Sequence, residues 1–184
     1  MRILAISGSL RRGSHNTSLL RAAGELLPPT DELVFWDGLK SMPPYDEDDD
    51  VEPAPAAVAS LREAVAAADA VLIATPEYNS STPGALKNAL DWASRPVATN
   101  VFRNKPVAVI GSSAGMFGAV WAQAELRKVL GAMGARVADV EVAVGHATEK
   151  FDDEGLLLDD EVRRELADAL TTLRADAQPL TAAA

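Results

Sequence analysis

The sequence predicts an α/β fold, a doubly wound parallel sheet with helices on both faces. Short apolar runs alternate five times with longer helix-like segments, the signature of repeated strand–helix units. Three of these runs, at residues 2–7, 70–75 and 106–111, are almost continuously apolar. Strands buried on both faces of a parallel sheet read this way. The loops leaving the same three runs, residues 8–16, 75–82 and 111–118, hold the least ordinary chemistry of the chain. A doubly wound sheet binds ligands beyond the carboxyl ends of its strands, where the winding reverses, so all three loops are expected at one edge.

Each element has its own justification. RILAIS (residues 2–7) is the first strand, followed by GSLRRGSHN (residues 8–16) and a helix over 17–27, with Asn16 and Thr17 available as caps. A second strand is expected at 32–36. DEDDDVEP (residues 46–53) reads as a solvated acidic loop ahead of a helix at 55–67, its acids near the positive helix end. It lacks the turn glycine and the twelfth-position glutamate of a calcium loop. The third strand, at 70–75, leads through TPEYNSSTPG to a helix at 83–94 with Pro83 near its first turn. There Leu86, Leu90 and Ala93 share a face that Ala89 and Trp92 widen. The fourth strand, at 106–111, precedes GSSAGMFG and a helix at 119–133, where Val120, Ala124 and Val129 lie near a face flanked by Trp121 and Leu126. The bulk on these two faces exceeds one sheet contact and hints at a partner subunit, with ordinary core packing the favoured reading for most of these residues. A fifth strand at 136–142, the turn FDDEG and a helix at 159–174 complete one domain over 1–177. QPLTAAA (178–184) is expected to be a flexible tail.

Composition narrows the function. A chain of 184 residues, 48% hydrophobic, with mean hydropathy of +0.02, fits one soluble domain. It has no apolar run of membrane-spanning length and no signal-peptide core, so a cytoplasmic protein without membrane contacts is expected. The absence of cysteine removes disulfides, thiolate nucleophiles and Cys-based metal sites, and no metal site is expected. A formal charge of -10 and a pI near 4.6 argue against nucleic acid as a partner. An anionic ligand must therefore be captured locally, against the field of the whole chain.

The first loop has the means. Gly8 and Gly13 stand at GxxxxG spacing, but Ser14 and His15 follow where a P-loop has Lys and Ser/Thr, so ATP or GTP hydrolysis is disfavoured. There is no GxGxxG fingerprint either. What remains is a glycine-containing loop ending at a helix N-terminus, an anion cradle in which Ser9, Ser14, Asn16 and Thr17 can donate and Arg11 or Arg12 can supply a fork. A terminal monophosphate suits it. His15 is given no chemical role. The second loop, stiffened by Pro76 and Pro83, can present backbone groups edge-on to a planar heterocycle, with the Tyr78 ring beside it. The third loop matches GxSxG at Gly111–Gly115, with Asp139 and His146 following in Ser–Asp–His order. A serine hydrolase using Ser113 is thus a competing reading, weakened by the short chain and by the lack of an HGGG-type segment.

Taken together, GSLRRGSHNTSLL, PEYNSSTPGALKNALDWASR and GSSAGMFGAVWAQAELRKVL resemble the NADPH-dependent FMN reductase family, a flavodoxin-like group that includes chromate, quinone and azo-dye reductases. The likeness runs from the first strand to about the fifth, and the turn FDDEG and final helix look like the family's C-terminal end. It implies a five-stranded parallel sheet of order 2-1-3-4-5 flanked by helices, with non-covalent FMN at the switch point. On that likeness Ser9, Arg11, Ser14, Asn16 and Thr17 hold the FMN phosphate. Pro76, Glu77, Tyr78, Asn79 and Ser80 line the isoalloxazine largely through backbone contacts, and Ser113 and Gly115 close another side. NADPH or NADH would deliver hydride to flavin N5 and leave, and a small acceptor (a quinone, an azo or nitro compound, free flavin, chromate) would then enter the same pocket. The chemistry belongs to the cofactor, so no side chain is expected to be catalytic. The resemblance also implies a homodimer or dimer of dimers with the flavin near a subunit interface, which suits the faces at Leu90/Trp92 and Trp121. Ser80–Ser81, where a glycine is common, and Ala114 depart from the family pattern. A flavodoxin-type electron carrier, with the same cofactor but no nicotinamide oxidation, is the nearest rival.

Overall fold

A computed structural model describes residues 1–178; residues 179–184, most of the expected tail, lie outside the described part. In chain order the elements are β1 (Arg2–Ser7), α1 (His15–Glu25), β2 (Glu32–Trp36), α2 (Ala56–Ala67), β3 (Ala70–Thr75), α3 (Gly84–Ala93), β4 (Pro106–Ser112), α4 (Val120–Ala132), β5 (Arg136–Val137), β6 (Ala143–Val144), α5 (Ala147–Lys150) and α6 (Asp160–Ala177). The strands form one parallel sheet of order β2-β1-β3-β4-β5, with β6 also paired to β4. The winding therefore reverses between β1 and β3. Register places Ser7 opposite Ala74 and Thr75 opposite Gly111, so the three expected loops leave the sheet at one level.

The all-apolar central strands are buried on both faces. On one side Ile3, Leu72 and Ile110 pack with Leu19 and Leu20 of α1 and Leu166 and Leu170 of α6. On the other Leu4, Ile73 and Val109 pack with Leu61 of α2, Leu90 of α3 and Leu126 of α4. Among the described residues no helix is long and apolar enough to cross a membrane.

Four expectations are corrected. Helix α1 begins two residues early, because Ser14 rather than Asn16 or Thr17 is its cap: Ser14 Oγ accepts from the Thr17 N–H. The bulky face of α3 needs no partner, since Leu86, Leu90 and Trp92 are buried in their own domain, with Trp92 Nε1 donating to Pro43 O at 2.9 Å. In α4 the buried stripe is Ala122, Gln123, Leu126 and Leu130; Ala124 is exposed and Val120 and Val129 are half-buried. Finally, only Arg136–Val137 of the expected strand at 136–142 is strand, and a second two-residue strand follows it at Ala143–Val144. Between them the half-buried Arg127 guanidinium donates to Val109 O at 3.3 Å and to Val140 O, doing for the ladder what a strand N–H would have done.

Candidate functional site

Strand β1 ends where the chain must pass between β3 and α3. Gly8 donates its N–H to Ala74 O at 2.8 Å, and a Cβ there would stand 2.9 Å from Leu86 Cδ2 and 3.3 Å from Ala74 O. The loop that follows turns into α1, whose first-turn N–H groups helix geometry leaves without intrahelical acceptors. Ser14 takes one of them. Thr17 Oγ1 donates to Ser7 Oγ at 2.9 Å, which ties the helix start back to the end of β1.

The second loop is held by carboxylates rather than by its own ladder. Glu77 Oε2 accepts from the N–H groups of Trp121 (3.1 Å) and Ala122 (3.0 Å). It thereby caps α4, whose own N-cap, Ala119, has no side chain to do so. Tyr78 and Ser81 pair as a two-residue hairpin whose tip, Asn79 and Ser80, has φ of 54° and 58°. Primed turns require such left-handed residues, a conformation that glycine adopts at less cost than Asn79 or Ser80.

The third loop lies against β6 and the start of α5. Ser113 N donates to Val144 O, His146 N to Gly115 O and Ala147 N to Ser113 O. Contact is close enough that a Cβ on Gly118, φ +57°, would lie 2.2 Å from the Ala143 carbonyl carbon.

The three loops surround one cleft of about 230 Å³, lined by Ser9, Arg11, Ser14, His15 and Asn16 from the first, Pro76, Glu77 and Tyr78 from the second, Ser112, Ser113 and Ala114 from the third, and Thr148. Eight of the twelve expected site residues are among these. Thr17 stands behind the cradle, Asn79 and Ser80 form the outer hairpin tip, and Gly115 offers its carbonyl to Ser113 Oγ and His146 N. The Asn16 amide is already engaged, Nδ2 donating to Ser112 O (3.0 Å) and Oδ1 accepting from Ser112 N (2.9 Å). It staples α1 to β4, leaving its backbone N–H for the cleft. Arg11 is exposed and folds onto Gly13 O, while Arg12 faces a neighbouring groove beside Arg21 and the acidic turn Asp152–Gly155. His15 stacks on Phe151 at 5.5 Å between ring centroids. Burial, and then the Arg11 charge, push its pKa down and favour the neutral ring.

Sequence reasoning missed Ser112, Ala114 and Thr148 as lining residues and left His15 without a role. Thr148 carried no signal, because only the return of the chain through β6 brings it to the cleft. Ser112 Oγ is buried and has no hydrogen-bond partner among the described residues. Glu77 is the only acid among the cleft residues, and its carboxylate is tied to α4.

The hydrolase reading fails on geometry. Ser113 Oγ donates to the Gly115 carbonyl at 3.1 Å and not to a histidine, and Ser113 lacks the positive φ of a strained elbow. Asp139 and His146 are both exposed. The next long helix, α4, begins only at Val120.

Comparison with known proteins identifies the family. Residues 1–149 match the family described as NADPH-dependent FMN reductase. An NAD(P)H-dependent FMN reductase of Pseudomonas aeruginosa is 43% identical over 175 residues, covering 95% of this chain and 94% of the relative. A 2-hydroxy-1,4-benzoquinone reductase of Burkholderia is 38% identical over 167 residues, 90% of each chain. The structure of FerB, a flavoenzyme NAD(P)H:(acceptor) oxidoreductase from Paracoccus denitrificans, superposes with a TM-score of 0.83 at 33% identity, over 96% of this chain and 94% of that one. The sheet order, the match to the family model over residues 1–149 and 43% identity across 95% of the chain to one such enzyme place the chain in the NADPH-dependent FMN reductase family.

Proposed function

We propose that the cleft holds FMN with its phosphate at the start of α1 and its ring against the second and third loops, and that the acceptor is a small quinone-type molecule. Family membership makes the chain an NAD(P)H-dependent, FMN-using oxidoreductase. The observation that carries the residue assignment is the division of the cleft. One end gathers hydroxyls, a guanidinium and a helix N-terminus, and its sole carboxylate is occupied elsewhere. The other end is walled by a rigid Pro76–Tyr78 segment and by the Ser113–Ala114 backbone.

The donor set fits the cofactor. Ser9 and Ser14 hydroxyls, the Arg11 guanidinium and the N–H groups of His15 and Asn16 supply hydrogen bonds and positive potential to a monophosphate, which needs no metal. The buried, unpartnered Ser112 hydroxyl at the same edge is the kind of orphan found where a ligand completes a site. When bound, FMN supplies the chemistry, accepting two electrons from NAD(P)H and passing them to the acceptor. The chain binds and orients: Tyr78, 55% exposed at the mouth, offers an apolar ring to a planar acceptor. The quinone class is favoured by the names of the relatives, one of them a benzoquinone reductase. The same reading extends to a cytoplasmic homodimer or dimer of dimers, supported by exposed apolar surface at Met116, Phe117 and Trp121.

The test is direct. Protein loaded with FMN and freed of excess should keep a flavin absorption spectrum at one flavin per chain and oxidise NADPH or NADH in the presence of benzoquinone. Failure to retain flavin overturns the site, and retained flavin without nicotinamide oxidation converts the reading to an electron carrier.

A further inference from the structure

We propose that Glu125, on the exposed side of α4, is the positioning residue of the second loop. It anchors the Tyr78–Ser81 hairpin and so fixes the wall against which FMN packs. The inference rests on the FMN reading above.

The hairpin cannot hold itself. Its two backbone bonds, Tyr78 N to Ser81 O and Ser81 N to Tyr78 O, are both long at 3.2 Å, and both tip residues are non-glycine in the left-handed region. Such backbone persists only where its surroundings over-determine it. Here one carboxylate oxygen makes two of the anchoring bonds. Glu125 Oε2 accepts from Ser81 Oγ at 2.6 Å and from the Thr82 N–H at 2.8 Å. These bonds, Ser81 foremost and then Thr82, hold the Glu125 carboxyl below the usual glutamate range. A third tie, Thr82 Oγ1 to Ala122 O at 3.2 Å, follows one turn earlier on α4. Glu77, on the strand side of the hairpin, reaches the same helix start. The segment between these anchors includes Glu77 and Tyr78, which line the cleft. Glu125 does not line the cleft and its hydrogen bonds go to Ser81 and Thr82, so its influence passes through the hairpin.

The experiment compares Glu125→Ala and Glu125→Gln with the parent, using apo-protein exchange and FMN titration. Hydrogen exchange in the apo protein should show the Thr82 amide losing protection in the alanine variant while β3 amides keep theirs. Fluorescence-quench titration with FMN should give a Kd raised about tenfold in the alanine variant, near the lower worth of hydrogen bonds to a charged acceptor. Glutamine retains a carbonyl oxygen able to accept both bonds and should restore the Kd to within about threefold of the parent. The exposed position of Glu125 lets both variants fold. An alanine variant with parental Thr82 protection, or with lost protection but parental FMN affinity, overturns the proposal, as does a glutamine variant no better than alanine. A parent that binds no FMN overturns the cofactor reading instead, and the exchange data then report the anchor by themselves.

Discussion

Arg11 and Asn16 show how two polar residues of one loop divide the work. Arg11 has its guanidinium on a neighbouring carbonyl at the surface, and must leave Gly13 O to meet a phosphate. That exchange of partners places its worth at the low end of a charged hydrogen bond. Arg11→Ala should weaken FMN by about 1.5 kcal/mol, read as a Kd rise of roughly tenfold by titration. Asn16 is 3% exposed, and both ends of its amide are used against the Ser112 backbone. Asn16→Ala leaves a buried N–H and a buried C=O unsatisfied and should cost about 2–3 kcal/mol in urea unfolding, with FMN affinity falling as a consequence. The sequence showed that residue 16 mattered. It could not show that the partner was protein, because the partner lies 96 residues away in a strand not yet placed. His15 is the converse case: its location at the cleft follows from Ser14 capping the helix, where the sequence pointed to Asn16 or Thr17.

At the scale of elements, periodicity was a good guide wherever burial was complete. Strands β1 and β3 match the expected 2–7 and 70–75 because nothing polar interrupts them. The region 136–142 misled for a physical reason. Its alternation of Ala138, Asp139, Val140, Glu141 and Val142 looks like an edge strand, but Arg127 from α4 occupies the ladder position, a long-range event with no local trace. The heavy face of α3 hinted at an interface because sequence does not show how deep a helix sits, and core packing, the favoured reading, is what the fold has: Trp92 finds Tyr45 in an edge-on contact at 5.0 Å within its own domain. The loop before α4 depends on close approach instead of side chains. Gly118→Ala would drive a Cβ into the Ala143 carbonyl while strained at φ +57°, and should cost about 3 kcal/mol or more, measured as a lowered Tm. Because this loop closes one side of the cleft, flavin affinity should fall with it.

At the scale of the whole molecule, one buried acid joins the ends of the chain. Asp31 accepts from Arg174 Nε of α6 at 2.6 Å and from the Met1 amino group at 3.2 Å. Arg174 is the chief cause that holds the Asp31 carboxyl below its ordinary value. A carboxyl depressed in the folded state stabilises above its unfolded pKa, about 3.9, and that stabilisation is lost as pH falls through the lower folded value. Arg174→Met should therefore lower Tm at pH 6, and the gap to the parent should shrink as pH falls below about 4. A gap unchanged through that window would show that Arg174 acts by packing alone.

The interrupted margin of the sheet beyond β4 has a colloidal consequence. A long bare strand there would invite pairing with another chain, yet this side carries only two-residue ladders, with Asp139 and Glu141 projecting from the gap and Arg127 donating into it. Short edges and charge are how natural sheets resist stacking into fibrils. In this molecule that resistance is concentrated at β5 and β6, which leaves the opposite margin, the five-residue β2, as the exposed template when concentration rises.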